Sequence, residues 1–288
     1  MADSIHGNDK FAQFLCRHLV GLSVWYYPIN SRGERAGESR NLTYAGIIFT
    51  LRDNWFYLTA GHILEDLEQR RRDNSIKFEL CQLMDSCGYN SKFKTPIPFD
   101  YEGALKTFLA QQGLDFGLVA LNTLQRENLK ASDIIPVSEE NRDFDYRKTL
   151  DQYYMLGLPK EFTNSKVESK SGSRILEVSL TPTLVPISRL EDLPEDLPNK
   201  EEYQTDFPRF IGRVINSSPL NELFGMSGGP IFGFNPEGDH YWIVAISSTW
   251  LPSQNIIFGN LIQLPGILGE QAIKMAQERN APRQPNNT

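Results

Sequence analysis

Cysteine is scarce in this chain: among 288 residues there are three, Cys16, Cys81 and Cys87. An odd, sparse set cannot form the disulfide framework on which small extracellular domains depend, so free thiols in a reducing compartment are expected. Long apolar runs are missing too, and none approaches the ~20 residues that a membrane-spanning helix requires. The opening residues, Met1-Ala2-Asp3-Ser4-Ile5-His6, carry neither the basic nor the apolar segment of a secretory signal. These absences point to a cytoplasmic protein with no membrane partner. Positive charge is in deficit, with 29 lysines and arginines against 36 aspartates and glutamates and a net charge of −7, which disfavours nucleic acid as a partner. The local exception, Arg70-Arg71-Arg72, follows Glu65, Asp66 and Glu68 in a helical pattern and reads as a solvated helix face. Four histidines without metal-ligand spacing, and no phosphate-binding or dinucleotide fingerprint, leave no metal and no cofactor to expect.

What is present is a succession of short apolar runs. A helical pattern over residues 9–18 leads into Val20–Tyr27, rich in β-branched and aromatic residues. Thr43–Leu51 and Trp55–Thr59 flank Arg52-Asp53-Asn54, whose turn-forming residues predict a hairpin. Leu114–Leu121 is a further strand, and the polar stretch 122–150 has no strong period and reads as a connection. Strands resume at Gln152–Leu158, Ile175–Leu184, Ile211–Ile215, Ile231–Phe234, Tyr241–Ser247 and Ile256–Ile262, and Pro265-Gly266 opens a helix over roughly 266–279. Two strand sets on either side of a polar linker predict an all-β fold of two barrels, with a short N-terminal and a C-terminal helix. The corresponding division is residues 1–125, a linker 126–150, a second barrel 151–265, and a helix and tail 266–288.

Three segments carry chemistry. In Leu58-Thr59-Ala60-Gly61-His62-Ile63-Leu64 a histidine ends a strand among small neighbours; Leu114-Asp115-Phe116-Gly117-Leu118 sets a carboxylate at the head of an apolar strand; and Phe224-Gly225-Met226-Ser227-Gly228-Gly229-Pro230 embeds a serine in glycines just before a strand. A serine hydroxyl becomes a nucleophile when a neutral imidazole takes its proton, and a buried carboxylate fixes that imidazole's tautomer. His62, Asp115 and Ser227 offer those groups. Glycines allow backbone N–H groups to turn toward a developing oxyanion, which makes Gly225 and Ser227 the candidate donors.

These segments resemble the chymotrypsin/trypsin family. Thr59-Ala60-Gly61-His62, Asp115-Phe116-Gly117-Leu118 and Gly225-Met226-Ser227-Gly228-Gly229-Pro230 are similar to its three signature segments and stand in its order. The resemblance implies two six-stranded antiparallel barrels of the chymotrypsin-like type. It also implies a serine endopeptidase acting on a protein or peptide substrate through an acyl-enzyme. Ile63 stands where secreted relatives have a disulfide cysteine, and Met226 where enzymes activated by a new N-terminus have an aspartate. The chain therefore resembles the intracellular bacterial trypsin-like peptidases, without a PDZ-like domain after residue 279. By the same resemblance Asn221, Ser248, Thr249 and Trp250 would bind substrate, Asn221 at the base of the primary pocket and Trp250 in place of a glycine that leaves it open.

Two other readings compete. Gly225-x-Ser227-x-Gly229 also satisfies the nucleophile elbow of α/β-hydrolase esterases, but only His240 follows the serine, where that fold requires both the acid and the histidine. A protease-like module that binds without catalysis is the other, motivated by Met226 and Trp250 as altered walls of the site. The polar segments 64–105 and 185–206 are candidates for control, with a regulatory protein as partner.

Overall fold

The computed structural model describes residues 10–85, 96–138, 142, 145, 150–170, 173–215, 220, 222–237, 240–266, 269–270 and 273–274. Helix α1 (Lys10–Cys16) leads into β1 (Leu19–Pro28), β2 (Arg40–Leu51) and β3 (Asn54–Thr59). Arg52 and Asp53 take φ of +47° and +65°, the left-handed pair that a two-residue hairpin between twisted strands demands. Helix α2 (Gly61–Arg72) follows β3, then β4 (Ile76–Met84), β5 (Ile97–Pro98), β6 (Lys106–Gln111), β7 (Leu114–Ala120) and α3 (Thr123–Ala131). Strand order in this half is β5-β4-β1-β2-β3-β7-β6.

That seven-stranded sheet is open, which corrects the expectation of a first closed barrel. Its edge strand β5 has only two residues, one of them Pro98 without an N–H, so it cannot extend a ladder to close the sheet. The all-β expectation is corrected in the same sense: the fold is mostly β, and the described residues include the helices α1, α2 and α3, of which α2 supplies His62. The arginine run lies on α2 as expected, with Arg70 on Asp66 at 2.7 Å and Arg71 on Glu68 at 2.9 Å. Segment 64–105 is accordingly α2, β4 and β5 over much of its length.

The second half contains β8 (Gln152–Gly157), β9 (Asn164–Lys170), β10 (Ser173–Ser179), β11 (Thr183–Leu190), β12 (Arg209–Val214), β13 (Pro230–Phe234), β14 (Tyr241–Leu251) and β15 (Ile256–Leu261). Here the expected barrel closes, in the order β11-β12-β15-β14-β13-β8. The predicted strand Ile175–Leu184 is two strands, β10 and the start of β11, interrupted at Leu180-Thr181-Pro182, and β9–β10 form a separate two-stranded ladder. Residues 265–266, 269–270 and 273–274 are helical, and the rest of the predicted C-terminal helix lies outside the described residues. No helix among the described residues is long and apolar enough to cross a membrane.

The first sheet is buried on both faces. On β2, Ile47 and Phe49 join a cluster with Leu156, Phe232 and Ile246 of the barrel, whereas Ile48 packs with Leu64 and Leu67 of α2 on the other side. Alternation therefore persists while both faces are apolar, and the sheet and barrel share one core.

Candidate active site

His62 is the second residue of α2, whose N-cap Ala60 has no side chain able to accept a hydrogen bond. The first amides of a helix need acceptors. Asp115, at the start of β7, supplies one: its Oδ1 accepts the His62 backbone N–H at 2.7 Å, and its Oδ2 stands 2.7 Å from Nδ1 of the ring. A carboxylate at the positive end of a helix is also favoured by the dipole. Gly61 makes this approach possible, since a Cβ there would lie 1.8 Å from the Leu109 carbonyl oxygen on β6.

Asp115 is held from two further sides. Ser248 on β14 donates its hydroxyl to Oδ2. Asn260 on β15 accepts the Asp115 N–H at 3.0 Å and donates to its carbonyl at 2.8 Å, tying the carboxylate's strand to the barrel. Burial alone would raise the Asp115 pKa, but the hydrogen bond and charge of His62 and the hydrogen bond of Ser248 outweigh it, and the carboxyl stays below its ordinary value. For His62, burial opposes the charged ring, yet the hydrogen bond and charge of Asp115, with Asp66 and Glu65, hold its pKa above 6.5.

Ser227 lies in the loop before β13, and its hydroxyl donates to the Ser248 carbonyl at 2.9 Å. The loop is shaped by Gly225 and Gly228, with φ of +90° and +87°. At Gly228 a Cβ would meet the Ala45 carbonyl oxygen at 2.2 Å, so the segment after Ser227 rests directly on the first sheet. Along this loop the N–H groups of Met226, Gly228 and Gly229 are taken by Leu223, Ser247 and Met226 carbonyls. Among the described residues, the N–H groups of Gly225 and Ser227 meet no acceptor. Two amide donors left open by this loop, the serine's own and that of Gly225, are a ready site for an oxyanion.

His62, Asp115, Ser227, Gly225, Ser248, Thr249 and Trp250 line one cleft of about 540 Å³ between sheet and barrel. Asn221 lies outside the described residues. Ser248 serves Asp115 and Ser227 through its hydroxyl and carbonyl, while Thr249 and Trp250 form a wall. Met226 does not alter that wall: at 1% exposed it is turned into the barrel core beside Leu223 and Met155, and the expectation that it reshapes the site is corrected. The reason is the peptide turn at Gly225, which sends successive side chains to opposite sides. His240 lies outside the cleft in an exposed turn, and all the described ladders are antiparallel, so the parallel sheet of an α/β-hydrolase is not the architecture here. Asn260, Arg209, Tyr203 and Phe224 also line the cleft and were not anticipated. A buried asparagine inside the apolar run Ile256–Leu261 was the one readable sign among them.

Gly225→Ala should lower kcat by about 10²–10³-fold, because Cβ would approach the Leu158 carbonyl oxygen to 2.5 Å and swing the N–H away from its present direction. Steady-state kinetics beside a circular dichroism spectrum would check that the loss comes without unfolding.

No family model and no curated protein matches this chain. Among solved structures it is similar to a mutant of the tobacco etch virus protease, at 9% identity and a TM-score of 0.37, over 94% of this chain and 82% of that one. It is likewise similar to the catalytically inactive tobacco etch virus protease complexed with substrate, at 10% identity and a TM-score of 0.37, over 87% and 83% of the two chains. The chemistry available at the cleft follows from its own residues.

Proposed function

We propose that this chain is a serine endopeptidase of the trypsin-like type that cleaves peptide bonds through an acyl-enzyme on Ser227. The observation that carries the reading is the combination in one cleft of an imidazole backed by a carboxylate, a serine hydroxyl, and two amides with no acceptor among the described residues. In the resting arrangement the Ser227 hydroxyl is parked on the Ser248 carbonyl. Attack requires that bond to be exchanged for one to Nε2 of His62, and a neutral hydrogen bond of this kind is worth ~0.5–1.5 kcal/mol.

The steps follow. Oγ of Ser227 bonds to the substrate carbonyl carbon as its proton passes to His62 Nε2, and the carbonyl electron pair moves onto oxygen, facing the amides of Gly225 and Ser227. Asp115 keeps the other ring proton on Nδ1 and stabilises the imidazolium. Collapse expels the amine, which takes the proton from Nε2, and water repeats the sequence to release the acid. No cofactor enters. Among the described residues Cys16 and Cys81 are free, in keeping with a cytoplasmic setting, and the segment 185–206, which reaches the cleft through Glu202 and Tyr203, is where a regulatory partner would act.

A fluorophosphonate probe should label Ser227 in the wild type and fail to label His62→Ala, and blocked peptide libraries should be cut with the same dependence. Labelling that survives His62→Ala would point to an esterase using another base. The parked hydroxyl and the Phe224–Trp250 edge contact at 5.8 Å across the cleft favour a binding module instead; absence of labelling under every condition would establish that second reading.

A further inference from the structure

The cleft that holds Ser227 is lined as well by Phe224, Trp250 and residues of β15, and it reaches the start of β12, where Arg209 stands opposite Asn260 in the strand register. The guanidinium lies 4.0 Å over the Phe258 ring, and Tyr203 stacks on the same ring with planes 15° apart. One N–H donates to the Tyr203 carbonyl. A guanidinium carries five N–H donors in a planar fork, so most of this fork is left for something else. Among the described residues no carboxylate pairs with it. Glu202, on the same cleft, is exposed, and Asp192, Glu195 and Asp206, which border a neighbouring depression together with Arg209, form no ion pair with it. Burial works against its charge, and among the described residues no ion pair offsets it.

We propose that Arg209 makes this cleft a recognition site for an acidic side chain, so that the chain cleaves after glutamate or aspartate. The inference rests on the proteolytic reading above and names its substrate class. A half-buried guanidinium without an anion favours a ligand that brings one, and carboxylate matches the fork in two parallel hydrogen bonds.

Peptides blocked at both ends and differing only at the acyl-side residue, as Glu, Asp, Gln, Leu or Lys, test this. Expected is a kcat/KM for Glu about 10- to 100-fold above that for Gln, the range of one charge-assisted hydrogen bond. Arg209→Gln should bring the Glu/Gln ratio to about unity while Gln peptides are still cut, and Arg209→Lys, which keeps charge without the fork, should retain part of the preference. Equal rates for Glu and Gln in a protein whose Ser227 takes the phosphonate label would overturn the proposal and leave the protease standing. If the label fails, binding of the same peptides, read by tryptophan fluorescence, still decides: tighter binding of Glu that vanishes in Arg209→Gln supports the site, and equal binding overturns it. Cleavage or binding confined to peptides with a free C-terminus would assign the fork to the chain end and also overturn it.

Discussion

Ser227→Ala is expected to lower kcat by about a millionfold while the unfolding midpoint stays where it is in the wild type. Catalysis falls so far because the other two side chains act only through this oxygen: without a nucleophile, His62 has no proton to take and Asp115 no imidazolium to stabilise. Activity should not vanish entirely. The Gly225 and Ser227 amides survive the substitution, and positioned donors with substrate binding leave roughly 10³–10⁴-fold over water. Stability is insulated for a separate reason. The hydroxyl's described bond is to the Ser248 carbonyl at the cleft wall, where water can replace it. Progress curves on a blocked peptide, with thermal unfolding of both proteins, check the pair of outcomes. Turnover within tenfold of wild type would mean another nucleophile; a collapsed melting point would mean that Ser227 holds the fold rather than the chemistry.

How far the fold could be read follows from which residues meet the core. β2, β3, β7 and β14 are dense in Ile, Val, Phe and Tyr because sheet and barrel bury them, and their runs were legible. β9, with the sequence Asn-Ser-Lys-Val-Glu-Ser-Lys, pairs only with β10 away from either core and so carries no apolar alternation to find. Helix α3 was hidden for a similar reason: Leu129 is buried but Leu124 is 64% exposed, leaving almost no stripe, although the reciprocal capping of Asn122 and Gln125 was there to be read. Barrel closure is not a property of any strand. It depends on whether edges meet, and Ile97–Pro98 is too short for a pattern to tell.

The site divides in the same way. That His62, Asp115 and Ser227 meet in one cleft was legible because each sits in a short segment that can be read locally. Asn260 is 145 residues from the aspartate whose peptide it clamps, and Arg209 reaches the cleft through a register that pairs it with Asn260. Both placements exist only after strands align, so no spacing announces them. Met226 shows the converse: its neighbour on each side lines the cleft, yet it belongs to the barrel core.

Asp115→Asn should reduce kcat by about 10⁴-fold and carry the acidic limb of kcat/KM to lower pH. In the wild type His62 must be neutral to accept the serine proton, and its pKa stands above 6.5, so activity rises with pH through a value on that side. Replacing the carboxylate leaves burial, which disfavours the imidazolium, without the charge that outweighed it; the limb then moves below its wild-type position. The rate falls because an amide no longer selects the tautomer with its proton on Nδ1. Stability should respond in the opposite direction along the pH axis. A histidine whose folded pKa is raised contributes stability that is fully present below the unfolded value and is lost as pH rises through the folded one. The depressed Asp115 contributes above 3.8 and loses its share as pH falls through its own folded value. On the proposed mechanism the ion pair is therefore strongest where turnover is lowest, and activity appears as the pair is discharged. Denaturant midpoints and kcat/KM measured across the same pH range, for wild type and Asp115→Asn, test both halves. A limb that does not move in the variant would show that the titrating group is not the imidazole behind Ser227.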